Sequence, residues 1–329
     1  MSRTRAVLLA FLLISLSVTP TLAGARLDAP TSPNAADAAQ GDKGSKAAAE
    51  PRYASDHVVV KWKDGATTAA SEKARGLSRV ASVPGQSRAE LVSSKGKSVE
   101  QLVAQLKGDP AVEWVEPDYI GKVDGPAAIA TAAPTPAADS GQVEAVSVND
   151  PYSARQYSLS QMDVRDAWSL SKGGNRLIAV IDTGVQWSHP DLAGQFAVNA
   201  AEKNGKPGVD DDGNGFVDDI NGWDFVNNDN DPADDNNHGT WVSGVLAAQQ
   251  NNGIGTAGIT WTDQLLEVKV MAYNGYGFSS DVAAGIDYAV SRGAKIINLS
   301  IGGFADSYLM RAAVARAWNA GAVLVAAAG

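Results

Sequence analysis

Apolar and polar positions along the 329 residues fall into three regimes. The first is a continuous apolar stretch, Ala6 to Val18, behind Arg3 and Arg5 and ahead of Ala23-Gly24-Ala25. A basic start, an apolar run of about 13 residues and a small-residue close predict an export signal over 1–25. The competing reading, a membrane anchor, needs ~20 apolar residues to span a bilayer. The second regime, 52–120, has short mixed runs. His57–Trp62, Arg88–Val92 and Ala111–Val115 read as strands, and Thr67–Arg75 as a short helix. Ser98–Lys107 reads as an amphipathic helix opened by a Ser98-x-x-Gln101 capping box and closed by Gly108 before Pro110. The third regime begins at Asn149. Leu177–Asp182, Leu266–Met271, Lys295–Ser300 and Ala322–Ala327 are apolar, β-rich runs suited to buried strands. Between them Ser279–Ser291 and Asp306–Asn319 have helical periodicity. The alternation predicts an α/β fold, a parallel sheet flanked by helices, behind a small α+β domain. Residues 26–51 and 121–148 are rich in Ala, Pro and Gly. They read as a low-complexity segment and a linker open to proteolytic cleavage.

Composition narrows the chemistry. There is no cysteine, which excludes disulfides, thiolate metal sites and cysteine nucleophiles. The formal net charge is −10, and its source is local: ten Asp and no Glu, Lys or Arg lie between Asp210 and Asp235. Local acidity points to divalent cations rather than to a global solubility device, and no basic patch suggests nucleic acid.

Four short blocks carry the catalytic signal: Asp182-Thr183-Gly184, His189-Pro190-Asp191-Leu192, Asn237-His238-Gly239-Thr240 and Asn298-Leu299-Ser300-Ile301-Gly302-Gly303. Asp182 closes an apolar strand, which would bring its carboxylate to the carboxyl edge of a parallel sheet, where α/β proteins gather their sites. His238 opens a segment, Trp241–Ala248, that reads as a helix. Asp-Thr-Gly alone also occurs in aspartic proteases, but those need a mainly β fold and a second copy. Taken together, the blocks resemble the Asp and His blocks of subtilisin-like serine proteases, the subtilases. The resemblance implies that Asp182 and His238 are catalytic, with Asp182 holding the His238 Nδ1. It further implies that Ser300, Ile301 and Gly302 line the substrate pocket and that Gly275, Tyr276 and Gly277 form an edge strand pairing with polypeptide substrate. Apolar walls at Ile301 and Tyr276 suggest large apolar side chains before the cut. Val112–Tyr119 resembles the end of subtilase propeptides, which assist folding and inhibit in cis; a plain accessory domain over 52–120 is the alternative. Residues 149–329 then form the catalytic domain, expected to be monomeric and secreted. Trp241 and Ser243 depart from the family pattern, where His and Ala are common.

Ala322–Gly329 resembles the strand leading to the family's oxyanion Asn, and no Gly-Thr-Ser-x-Ala block occurs within the 329 residues. The chain is therefore expected to be C-terminally truncated and inactive as it stands. The competing readings are a true stop giving a binding or inhibitor protein, and an unrelated enzyme or calcium module sharing local motifs.

Calcium is the implied ion. Asp210, Asp212, Asn214 and Asp218 fall at positions one, three, five and nine of a loop that turns at Gly215; the alternative is a solvated acidic loop. Resemblance to the calcium-dependent, thermitase-like subgroup adds two sites. One would use Asp150, Asp191 and the Asn252 side chain with carbonyls of Gln249, Ile254 and Thr256. The other would use Asp224, Asp229 and Asp231.

Overall fold

The computed structural model describes residues 52–66, 69–123, 145–303 and 305–328. The export signal, the 26–51 segment and most of the linker lie outside them. Among the described residues no helix is long and apolar enough to cross a membrane.

The N-terminal unit is built from β1 (Tyr53–Trp62), α1 (Ala69–Ala74), β2 (Ser78–Ser82), β3 (Ala89–Ser93), α2 (Val99–Lys107) and β4 (Val112–Val123). The strands pair antiparallel in the order β4-β1-β3-β2. The capping box at Ser98 forms as read, with both reciprocal bonds present. Period-two alternation divides the sheet. Val58, Val60, Trp62 and Val92 pack on Leu102 and Leu106 of α2. Val59, Ala89 and Leu91 turn to the opposite face and join the core of the second unit. Two features depart from the sequence reading. β2 is an additional strand, whose Ser-Arg-Val-Ala-Ser has too little alternation to announce itself. β4 runs three residues past 120, into the stretch read as linker, because residues 120–123 find strand partners far away in sequence.

The second unit comprises α3 (Tyr157–Gln161), α4 (Val164–Leu170), β5 (Leu177–Asp182), α5 (Ala200–Asn204), β6 (Gly222–Asp224), α6 (His238–Ala247) and β7 (Gln264–Lys269). It continues with β8 (Tyr276–Phe278), α7 (Ser279–Ser291), β9 (Ile296–Leu299), β10 (Ile301–Gly303), α8 (Tyr308–Asn319) and β11 (Val323–Ala326). Strands β11-β9-β5-β7-β6 form a wholly parallel sheet. Such a sheet must bury both faces, and β5 shows how. Ala179 and Ile181 face Val282, Ala283, Ile286 and Leu309 of α7 and α8. Ile178 and Val180 face Val242, Leu246 and Ala247 of α6. Asp182 is the last residue of that central strand, so its carboxylate stands at the carboxyl edge.

Candidate active site

Asp182 is fully buried and His238 is the first residue of α6. His238 Nδ1 and Asp182 Oδ1 are 2.7 Å apart, and the Thr183 amide also donates to Oδ1 at 2.7 Å. With Nδ1 committed, Nε2 is the nitrogen that can accept a proton. The turn before α6 is held by Asp234. Its carboxylate accepts from the amides of Asn236, Asn237 and Thr240 and from the hydroxyls of Thr183 and Thr240. Burial works to raise the Asp234 pKa, but those donors outweigh it and hold the carboxyl below its usual value. Thr183 closes the loop by accepting the Gly239 amide at 2.8 Å. A Cβ at Gly239 would lie 2.2 Å from the Gly184 carbonyl oxygen, so the helix reaches Asp182 only because that position lacks a side chain.

Beside this pair lies a three-stranded arrangement. The end of β4 runs between β8 and β10, antiparallel to both. Gly121 sits opposite Gly277 on one side and Gly303 on the other; Lys122 sits opposite Tyr276 and Gly302. Val123 faces Ile301 and donates its amide to the Gly275 carbonyl at 2.9 Å. All six residues named as substrate-binding from the sequence thus belong to the two segments flanking this strand. Ser300 is the junction between β9 and β10, its hydroxyl accepting from Asn298 Nδ2 at 2.9 Å.

Two acidic side chains fasten β4 to the second unit. Glu116 accepts from the Ser307 hydroxyl and the Tyr308 and Leu309 amides, at the start of α8. Asp118 accepts from the Ser279 hydroxyl and from the Ser280 amide and hydroxyl, at the start of α7. Helix α7 has no cap of its own, since its N-cap residue is Phe278. His57 completes the contact, with Nδ1 2.8 Å from Asp56, Nε2 3.2 Å from Asp118, and its ring edge-on to Phe278. Gln86 adds a bond of 2.7 Å to Asp287 on α7.

The proposed ion-binding residues are partly gathered. Asp150 accepts the Asn251 and Asn252 amides, while Asp191 accepts from the Asn252 side chain and the Thr256 amide. Gln249 donates its amide to the Asp191 carbonyl, and the Ile254 amide donates to Asn252. Asp224 and Asp229 exchange backbone bonds, and Asp229 accepts the Asp231 amide. In the acidic loop the grouping shifts. Glu202, Asp212 and Asp219 offer oxygens within 4.8 Å of one another, and Asn214 donates to both Asp212 and Asp219. Asp210 instead accepts the amides of Gly213, Asn214 and Gly215, and Asp218 that of Gly208. Glu202 lies on α5, outside any loop motif; Asp219 lies beside the counted positions.

Known proteins share this construction. Residues 173–329 match the subtilase family (peptidase S8), and residues 39–118 match the fervidolysin N-terminal prodomain. The second unit is thus a subtilase domain, and the first is a fervidolysin-like prodomain. The thermophilic serine proteinase of Bacillus sp. (strain AK1) is 37% identical over 283 residues, covering 84% of this chain and 59% of that protein. Thermitase of Thermoactinomyces vulgaris is 41% identical over 182 residues, covering 55% of this chain and 57% of its own. Fervidolysin from Fervidobacterium pennivorans, a keratinolytic enzyme related to subtilisin, superposes with a TM-score of 0.63 at 25% identity. That match covers 85% of this chain and 40% of fervidolysin. The chain therefore spans well under two thirds of these relatives' lengths.

Proposed function

We propose that this protein is the precursor of a secreted, calcium-stabilised serine endopeptidase whose prodomain holds its own substrate cleft shut. The observation that carries the reading is the Ile120–Val123 strand, hydrogen-bonded between β8 and β10 beside an Asp–His pair at 2.7 Å. An extended substrate would take the same place, its main chain held by pairing and its side chains sorted by the flanking residues. In hydrolysis His238 Nε2 takes the proton of a serine nucleophile and later gives it to the leaving amine. Asp182 fixes the tautomer and stabilises the imidazolium. The 329 residues contain no Gly-Thr-Ser-x-Ala block, so by themselves they are expected not to hydrolyse peptides. The side chain before the cut is expected to be large and apolar, since Ile301 and Tyr276 bring no charge to the cleft.

Calcium fits the donor sets, which are oxygen-only. Glu202, Asp212 and Asp219 would hold one ion with Asn214 beside them. Asp150, Asp191 and Asn252, with the 249–256 loop carbonyls, would hold another, and Asp224, Asp229 and Asp231 a third. Bound there, the ion neutralises carboxylates and ties loops together. Asp210 and Asp218 act in this reading as loop-shaping residues that bond to backbone amides. The prodomain in cis and polypeptide substrates are the partners. Export rests on the 1–25 signal.

The test is expression of the full-length gene. A matured product that cleaves casein, reacts with a fluorophosphonate and loses both properties on Asp182→Asn or His238→Ala is the expected outcome. A stable, unprocessed product that captures polypeptides without cleaving them would favour the binding-protein reading.

A further inference from the structure

One polar pair lies under the Asp182–His238 site with no part in the mechanism so far. The α6-facing residues of β7 are Leu265, Glu267 and Lys269. Lys269 is fully employed, its ammonium donating to the Thr183 carbonyl, Asp235 and the Met271 carbonyl. Glu267 is not paired with it. Glu267 is completely buried, and its Oε1 accepts one hydrogen bond, 3.0 Å, from the equally buried Ser243 hydroxyl. Among the described residues its Oε2 is buried without a hydrogen-bond partner. Ser243 lies five residues after His238 on α6, on the departure from the family pattern noted above. In the register Glu267 sits beside Val180, two residues before Asp182 on the neighbouring strand.

Burial, followed by the charges of Asp182 and Asp234, drives the Glu267 carboxyl well above its usual range, against the pull of Ser243. Burial there works against the ionised form of the residue. His238 on α6, Asp182 on β5, Asp234 ahead of α6 and Lys269 on β7 are the charged or titratable groups around it, with Asp224 of β6 opposite Lys269. A leucine would fill the same apolar face at no polar cost, because a buried acid with one hydrogen bond is a poor stabiliser. What Glu267 offers is direction. The bond fixes the rotation of α6 about its axis against β7, and His238 rides on that helix.

We propose that Ser243 and Glu267 form a positioning pair that keeps the His238 imidazole seated on Asp182. The inference rests on the serine-protease reading for its catalytic consequence, but not for its structural one. The test compares Ser243→Ala, Glu267→Gln and Glu267→Leu in the full-length protein, by peptide hydrolysis, by melting at pH 8 and by NMR titration of the His238 ring. Glu267→Leu is expected to melt no lower than wild type, yet to lose about tenfold in kcat with KM held, a size set by small misplacements of catalytic groups. Ser243→Ala is expected to lose kcat in the same way. Glu267→Gln, whose amide oxygen still accepts from Ser243, is expected to recover most of it. The His238 ring is expected to titrate at lower pH in the alanine and leucine variants, because contact with the Asp182 charge is reduced. Unchanged kcat and unchanged His238 titration in Ser243→Ala would overturn the proposal. So would losses that merely follow a lower melting temperature. If wild type hydrolyses nothing, the protease reading fails, while the His238 titration still decides whether the pair positions the ring.

Discussion

The carboxylate of Asp118 accepts both the amide and the hydroxyl of Ser280, so a prodomain side chain caps a helix of the subtilase domain. Glu116, two residues earlier on the same strand face, does the same for α8. Both acids lie on β4, whose end pairs with β8 and β10. In the proposed function one strand therefore both meets the helix starts and lies in the substrate cleft.

The caps set the affinity of the prodomain. Removing an N-cap costs about 0.5–2 kcal/mol. Asp118→Ala or Glu116→Ala is expected to weaken inhibition of the matured enzyme by the released prodomain by roughly 2- to 30-fold. Inhibition constants for each variant check this. Equal constants would mean that the caps are formed but energetically idle.

The same contact carries a pH dependence. Burial tends to lower the His57 pKa, but the hydrogen bonds and charges of Asp118 and Asp56 outweigh it, and the net shift is upward. Both acids belong to the prodomain itself, so the raised pKa links protonation of His57 to folding of the prodomain. That contribution is fully present below the unfolded value of about 6.5 and is lost as pH rises through the raised one. The stability of the folded prodomain is expected to fall from pH 5.5 to pH 8.5, and His57→Gln to flatten the profile. Melting temperatures across that range are the check.

Metal removal addresses the acidic loops. Asp224, whose pKa is pushed up to about 6 by burial, and the Glu202, Asp212 and Asp219 group, where Arg292 pairs with Asp219 at 2.9 Å, are carboxylates whose charged form an ion would favour. Ligand bound only to the folded state stabilises by about 2.7 kcal/mol at a hundredfold excess over Kd. EDTA is expected to lower the melting temperature of the full-length protein, and Asp212→Asn to remove part of the calcium response. A melting curve indifferent to EDTA and to added calcium would exclude a stabilising role.

The approach of α6 to β5 gives a steric prediction. Gly239→Ala would put a Cβ 2.2 Å from the Gly184 carbonyl oxygen. The helix must retreat, and the 2.7 Å His238–Asp182 bond with it. Activity is expected to fall on the order of a hundredfold, with KM affected far less than kcat.

Elements whose cause is local were legible in the sequence. Leu177–Asp182 and Ser279–Ser291 form over the residues that periodicity marked, because each buries its own apolar pattern. The Asp182–His238 pair was legible from motif and chain order. What escaped depends on remote partners. Residues 121–123 read as linker because Gly-Lys-Val has no strand signal without β8 and β10 beside it. The cap of α7 was invisible because it comes from Asp118, 161 residues away from Ser279. In the acidic loop the Asp spacing was readable, whereas Glu202 joins Asp212 and Asp219 only through the packing of α5.

If β4 occupies the substrate cleft of a serine protease, two prodomain polypeptides, one ending at Val123 and one at Tyr119, will inhibit the matured enzyme differently. Inhibition competitive with a peptide substrate is expected for the longer form, and a loss of at least tenfold in affinity for the shorter. Non-competitive inhibition, or equal potency of the two, would contradict occupation of the cleft by β4.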